Sequence, residues 1–137
     1  MNDRAPVVVL DASAILAWLQ QEPGANRVEE CLEHGECLLS AVNYAEVIAK
    51  LVDKKIVSYS QLPHLLAASG VRIVPFDDGL AMQSGITRST TRQAGLSLGD
   101  RACLALAIRE NAEVLTTDQI WLSLVLSVNV TNIRNPG

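Results

Sequence analysis

The chain has 137 residues, 49% of them hydrophobic and 19% charged, with a formal net charge of −4. That length suits one domain over residues 1–137, burying roughly two thirds of the unfolded surface, and the composition excludes a disordered or fibrous chain. The acidic balance excludes a protein that holds nucleic acid by bulk electrostatics, but not an enzyme whose acidic site is bridged to phosphates by metal.

No run approaches the ~20 apolar residues of a membrane span. Met1-Asn2-Asp3-Arg4 lacks the basic and apolar regions of an export signal. Cys31, Cys37 and Cys103 form no CxxC pair. The expectation is a cytoplasmic protein with reduced thiols and no membrane contact. His34 and His64 stand far apart without a flanking ligand pattern, which argues against zinc.

In chain order, Val7-Val8-Val9-Leu10 opens as an apolar run, three of its residues β-branched, and ends in Asp11-Ala12-Ser13. Such a run reads as a strand buried on both faces of a parallel sheet. Ligands of such sheets lie beyond the strands' carboxyl ends. Asp11 is therefore either a site residue or the N-cap of the helix that follows. Ala14 to Gln20 reads as that helix, broken by Pro23-Gly24. A second helix runs from about Ala25 to Glu33, with Val28, Cys31 and Leu32 on one face and Gly35 as its stop. Cys37-Leu38-Leu39 is a short second strand, and Ser40 caps a third helix over about Ala41 to Lys54.

The third helix carries an apolar stripe of Tyr44, Val47, Ile48 and Leu51, and a polar one of Asn43, Glu46, Lys50 and Asp53. Glu46 has two accounts. One is a surface pair with Lys50 at i,i+4, worth a few tenths of a kcal/mol; the other places it at the crevice beyond the first strand.

Ser58 to Ser69 reads as a fourth helix, with Pro63 in its first turn and Gly70 as its end. Val71 to Val74 is a third strand. Asp77 and Asp78 then open a long helix to about Gln93 as cap and dipole residues. Arg88 and Arg92 lie one turn apart on it, either contacting phosphates or simply solvated.

Ser97 and Asp100 have the spacing of a capping box. The helix from Ala102 to Asn111 is apolar nearly all round and so buried. Val114-Leu115-Thr116-Thr117-Asp118 repeats the opening pattern of apolar strand, hydroxyl and carboxylate. Gln119 to Val125 reads as a short helix and Val128 to Thr131 as a last strand.

Alternating strands and helices imply an α/β fold, three-layer α/β/α with a mainly parallel sheet of about five strands. Right-handed crossovers put all the strands' carboxyl ends on one edge. Asp11 and Asp118 arrive there from two strands, Asp100 from a helix start and Glu46 from the third helix. Four converging carboxylates without a balancing histidine disfavour one another's charge. A hard divalent cation resolves that conflict, and a second would handle both the attacking and leaving oxygens of a phosphodiester.

The stretches VVVLDASAILAWL, NYAEVIAKL, LSLGDRACLALA and VLTTDQIW, in this order, resemble PIN-domain ribonucleases, and among these the VapC-type toxins of toxin–antitoxin pairs. Their spacing covers nearly the whole chain. The resemblance implies a PIN-like fold and an Mg2+- or Mn2+-dependent endoribonuclease. It further implies an RNA substrate, a homodimer and a cognate antitoxin. It carries the acidic site onto Asp11, Glu46, Asp100 and Asp118, with Asp11, Asp100 and Asp118 as metal ligands. Ser13 and Thr116 match supporting hydroxyls and Asn43 lies near the site. Gln119 stands where relatives often have a charged residue. The apolar stripes of the early helices, with Trp18 and Leu19, would form a groove for an antitoxin tail, and an arginine of that tail would reach the acids.

Other readings fare worse. A haloacid-dehalogenase-type phosphatase needs a second Asp two residues after the first, where this chain has Ser13. A response-regulator receiver needs a late lysine, and none follows Lys55. A PIN nuclease of RNA processing without a toxin role remains the enzymatic alternative. The non-enzymatic one is a partner-binding module with weak or no nuclease activity.

Overall fold

The computed structural model describes residues 6–119, 121 and 127–134. Strand β1 (Val7–Leu10) leads into helix α1 (Ala12–Leu19), followed by α2 (Ala25–His34) and strand β2 (Glu36–Ser40). Helix α3 (Ala41–Asp53), α4 (Leu62–Ser69) and strand β3 (Val71–Val74) come next. Then follow α5 (Asp78–Ile86), the single turn α6 (Arg88–Thr91), α7 (Leu98–Glu110), β4 (Glu113–Thr116) and β5 (Val130–Asn132). The five strands form one parallel sheet in the order β3-β2-β1-β4-β5.

Alternation along the strands divides the core in two. Val8, Leu10, Cys37, Leu39, Val71 and Leu115 face a cluster with residues of α1 to α4. Val9, Leu38, Val74 and Val114 face a second cluster with Leu80 of α5 and Leu104, Ala105 and Leu106 of α7. This is the expected three-layer α/β/α fold with a parallel sheet. Helix α7 is buried from Ala102 to Ala107, as its all-round apolar sequence requires. No helix among the described residues is long and apolar enough to cross a membrane.

Four helices begin on the side-chain caps that their sequences offer. Asp11 accepts from the Ala14 N–H, Ser40 from Val42, Asp77 from Leu80 and Ser97 from Asp100. Ser40 is 1% exposed, so its hydroxyl cannot be replaced by water. Ser40→Ala should therefore lower stability by about 1 kcal/mol, read as a lower urea midpoint with an unchanged slope.

Two expected helices come apart. The expected helix over Ser58 to Ser69 is a 3-10 turn (Val57–Gln61) followed by α4. Pro63 has no N–H to return to the Tyr59 carbonyl, which takes the Leu62 N–H instead. The expected long helix to Gln93 stops at Ile86, followed by α6 and a 3-10 turn (Arg92–Ala94). Here Thr87, Ser89, Thr90 and Thr91 all donate their hydroxyls to carbonyls three or four residues back. That competition weakens a continuous helical ladder.

The last strand is shifted by one to two residues relative to the Val128–Thr131 expectation, because β4 pairs with Val130, Thr131 and Asn132. Most of the expected helix over Gln119–Val125 lies outside the described residues, although Trp121 is buried in the second cluster. Trp18 is buried too, its ring nitrogen donating to Glu29 at 2.6 Å. It belongs to the core rather than to an open groove. Leu19 instead lines a groove with Leu51, Ile56, Leu62 and Leu65.

Candidate active site

The strand order reverses direction at β1, which separates β2 and β3 on one side from β4 and β5 on the other. The carboxyl ends of β1 and β4 therefore flank the crevice where α/β sheets take their ligands. Asp11 follows β1 directly and is 4% exposed. Its Oδ1 accepts from the Ser13 hydroxyl at 2.6 Å and the Ala14 N–H at 2.9 Å. Its Oδ2 accepts from the Thr116 hydroxyl at the end of β4. Burial pushes the Asp11 carboxyl up to about 6. The bonds from Ser13, Thr116 and Ala14 oppose that rise, and the charge of Asp100 adds to it.

The two hydroxyls also reach the loop beyond β4. Ser13 Oγ accepts from the Thr117 N–H at 2.9 Å, and Thr116 Oγ1 from the Asp118 N–H at 3.0 Å. Each hydroxyl thus spends its proton on Asp11 and a lone pair on the loop. The start of α1 and the segment carrying Asp118 are pinned to the same carboxylate.

Asp100 and Glu46 come from elsewhere. Asp100 sits in the first turn of α7, half-buried, and its Oδ2 accepts from the Ser97 N–H at 3.0 Å. The reciprocal bond from the Asp100 N–H to Ser97 Oγ completes a capping box. Glu46, half-buried on α3, receives the Asn43 side-chain N–H on Oε1 at 2.8 Å. Asn43 also donates to the Gly99 carbonyl of α7 at 3.0 Å. Asn43, on the polar stripe of α3, is 1% exposed, because α3 packs against α7 there.

The charges of all three acids act on one buried thiol. Cys103, fully buried on α7, has its thiol held well above the usual range by burial and by the charges of Asp11, Asp100 and Glu46. None of the three makes a salt bridge among the described residues. Glu46 has not paired with Lys50. Nor, among the described residues, do three or more His, Cys, Asp or Glu side chains stand close enough to cage a metal as they are. The oxygens explain this: those of Asp11 already accept three bonds, and Asp100 is turned onto its own cap.

The structure brings Asp11, Ser13, Thr116 and the Asp118 backbone into one bonded network, and Asn43 joins Glu46 to the first turn of α7, which carries Asp100. The Asp118 residue is exposed. Arg88 and Arg92 are exposed as well, on the segment leading toward the Ser97 cap, and no hydrogen bond or ion pair joins them to the acids. Sequence reasoning missed Gly99. A Cβ there would collide with the carboxylate of Glu46. The signal was a glycine inside the first turn of a helix, where it is disfavoured unless something approaches closely.

The sequence matches the model of the PIN domain family over residues 8–124. Among curated proteins, none matches the sequence significantly. The fold is similar to that of VapBC2 from Rickettsia felis, solved bound to a DNA fragment from its promoter. The TM-score there is 0.72 at 18% identity, covering 91% of this chain and 97% of that one. VapBC-1 from nontypeable Haemophilus influenzae gives 0.71 at 18% identity, with 94% and 99% covered. VapC20 from Mycobacterium tuberculosis, a toxin that cleaves the sarcin-ricin loop, gives 0.68 at 14% identity, with 86% and 96% covered. At these identities the likeness establishes the fold.

Proposed function

The chain belongs to the PIN-domain family, and from that premise we propose that it is a divalent-metal-dependent endoribonuclease, the toxin of a toxin–antitoxin pair. The observation that carries this reading is the buried Asp11 carboxylate at the carboxyl end of β1, held by Ser13, Thr116 and the Ala14 N–H, together with Glu46 of α3 seated against the first turn of α7 that bears Asp100; none of these three carboxylates makes a salt bridge among the described residues. Uncompensated charge on oxygen donors fits a hard cation such as Mg2+ or Mn2+.

Asp11 and Asp100 would hold that cation, joined by Asp118, with Glu46 direct or through water. When bound, the cation supplies Lewis-acid stabilisation of the charge that grows on the phosphodiester. The rest is done by the chain. Ser13, Thr116 and the Ala14 N–H fix Asp11 in one orientation. Glu46 Oε2, the oxygen that Asn43 does not bond, would take a proton from the attacking water. Arg88 and Arg92 would meet the RNA phosphates.

The partners proposed are a second copy of the chain and a cognate antitoxin. Solved complexes of the VapBC type share this fold. An antitoxin tail would use the groove lined by Leu19, Leu51, Ile56, Leu62 and Leu65, with an arginine reaching the acids.

Incubation of the purified chain with cellular RNA tests the reading. Cleavage should require Mg2+ or Mn2+, stop with chelator, and spare DNA; persistence in chelator or an inert chain would overturn it. The same metal should raise the melting temperature, since a ligand of the native state alone adds about 2.7 kcal/mol at a hundredfold over its dissociation constant. An unchanged melting temperature at millimolar metal and neutral pH would contradict a native site.

A further inference from the structure

Gly99 lies in the first turn of α7, between the Ser97 cap and Asp100. Its backbone is not left-handed, so conformation does not call for glycine. Glycine there forgoes the helix propensity of alanine. The space it leaves is filled: the three nearest atoms to a Cβ built on Gly99 all belong to the carboxyl group of Glu46. That carboxylate is therefore seated against the bare Cα of the α7 first turn.

A second contact closes the seat. The Asn43 amide donates one N–H to Glu46 and the other to the carbonyl of Gly99 itself. Its Oδ1 is buried without a partner among the described residues, so the amide is held there for its two donors. Asn43 thus ties α3 to α7 at the residue whose missing side chain admits Glu46. Without this seat, Glu46 has an ordinary alternative one helical turn along, the exposed Lys50.

We infer that Gly99 and Asn43 are positioning residues, which together hold the Glu46 carboxylate inward beside Asp100 and away from Lys50. The inference deepens the nuclease reading and rests on it for its consequence. The collision at position 99 involves the end of a flexible side chain, not backbone. A methyl group there displaces Glu46 at little cost to the fold, so Gly99→Ala separates function from stability.

The test is a cycle of Gly99→Ala, Glu46→Ala and the double variant, with Asn43→Ala alongside. Gly99→Ala should stay folded, lose at least tenfold in RNA cleavage, and bind Mn2+ more weakly. In the Glu46→Ala background the same change should cost no further cleavage. Melts of the metal-free chain give a readout independent of activity. Alanine at position 99 should raise the melting temperature more when Glu46 is already absent, because no carboxylate must then leave its amide partner.

Equal shifts in both backgrounds, or additive losses of cleavage, would overturn the inference. So would a Gly99→Ala variant that cleaves RNA and binds Mn2+ as the wild type does. If the wild type cleaves nothing, the nuclease reading fails, while the metal-free melts still decide whether Glu46 occupies the seat.

Discussion

Replacing Asp11 by Asn should abolish RNA cleavage, by about a thousandfold or more, and at the same time make the metal-free protein more stable at neutral pH. The loss follows from the proposed role, since removing one preorganised charged group commonly costs two to three orders of magnitude. The gain follows from burial. The carboxyl is raised from 3.8 to about 6 in the folded chain, so the native state binds this proton more tightly than the unfolded state does.

Stability from this group is therefore full below about pH 4, is lost as pH rises, and stays low above pH 6. At about 1.4 kcal/mol per pH unit, the ionised wild type is about 3 kcal/mol less stable than it would be with the group neutral. Asn keeps the geometry, because the Thr116 hydroxyl can accept as readily as it donates. Urea denaturation of both proteins without metal should show the variant ahead by about 2–3 kcal/mol at pH 7.5 and level with the wild type at pH 4. Metal affinity of the wild type should fall as pH drops through 6, since the proton and the cation compete for the same oxygens. A variant that is less stable at neutral pH, or that still cleaves, would contradict this account.

The second large effect concerns Asp100, which has a structural role beyond dispute. Its carboxylate accepts the Ser97 N–H and its own N–H goes to Ser97 Oγ. An Asn at this position still offers a carbonyl oxygen to the Ser97 N–H. Asp100→Asn should therefore change stability by only a few tenths of a kcal/mol, while cleavage falls by about a hundredfold or more if the charge holds metal. Asp100→Ala removes the box and should cost about 1 kcal/mol as well. If capping were the whole role, the Asn variant would cleave like the wild type, and only the Ala variant would melt earlier.

Much of this architecture was legible in the sequence. The alternation of apolar runs with helical stripes gave the parallel sheet, since strands buried on both faces lose their polar positions. The caps were legible because Asp11, Ser40, Asp77 and Ser97 each precede a helix with a free first-turn amide. For Asp11 the rival accounts, cap or site, are not exclusive. The start of a helix that follows a parallel strand lies at the carboxyl edge, where ligands bind. One side chain can do both.

What escaped the sequence depends on which element packs against which. Asn43 was legible as a residue near the site but not as a buried one, because helical periodicity shows a face but not its neighbour, and α7 covers that face. Gly99 carried no periodic signal at all. Its meaning depends on Glu46, 53 positions earlier in the chain. The broken helix after Ile86 was a matter of local competition, several hydroxyls drawing on the same carbonyls, which an apolar pattern does not encode.

The most direct test of the central claim is the anomalous scattering of a crystal soaked in Mn2+ at a concentration that supports RNA cleavage. The account predicts a peak bonded to the carboxylates of Asp11 and Asp100, absent from a crystal of Asp11→Asn treated alike. A peak elsewhere on the surface, or none at a concentration where the enzyme is active, would contradict it.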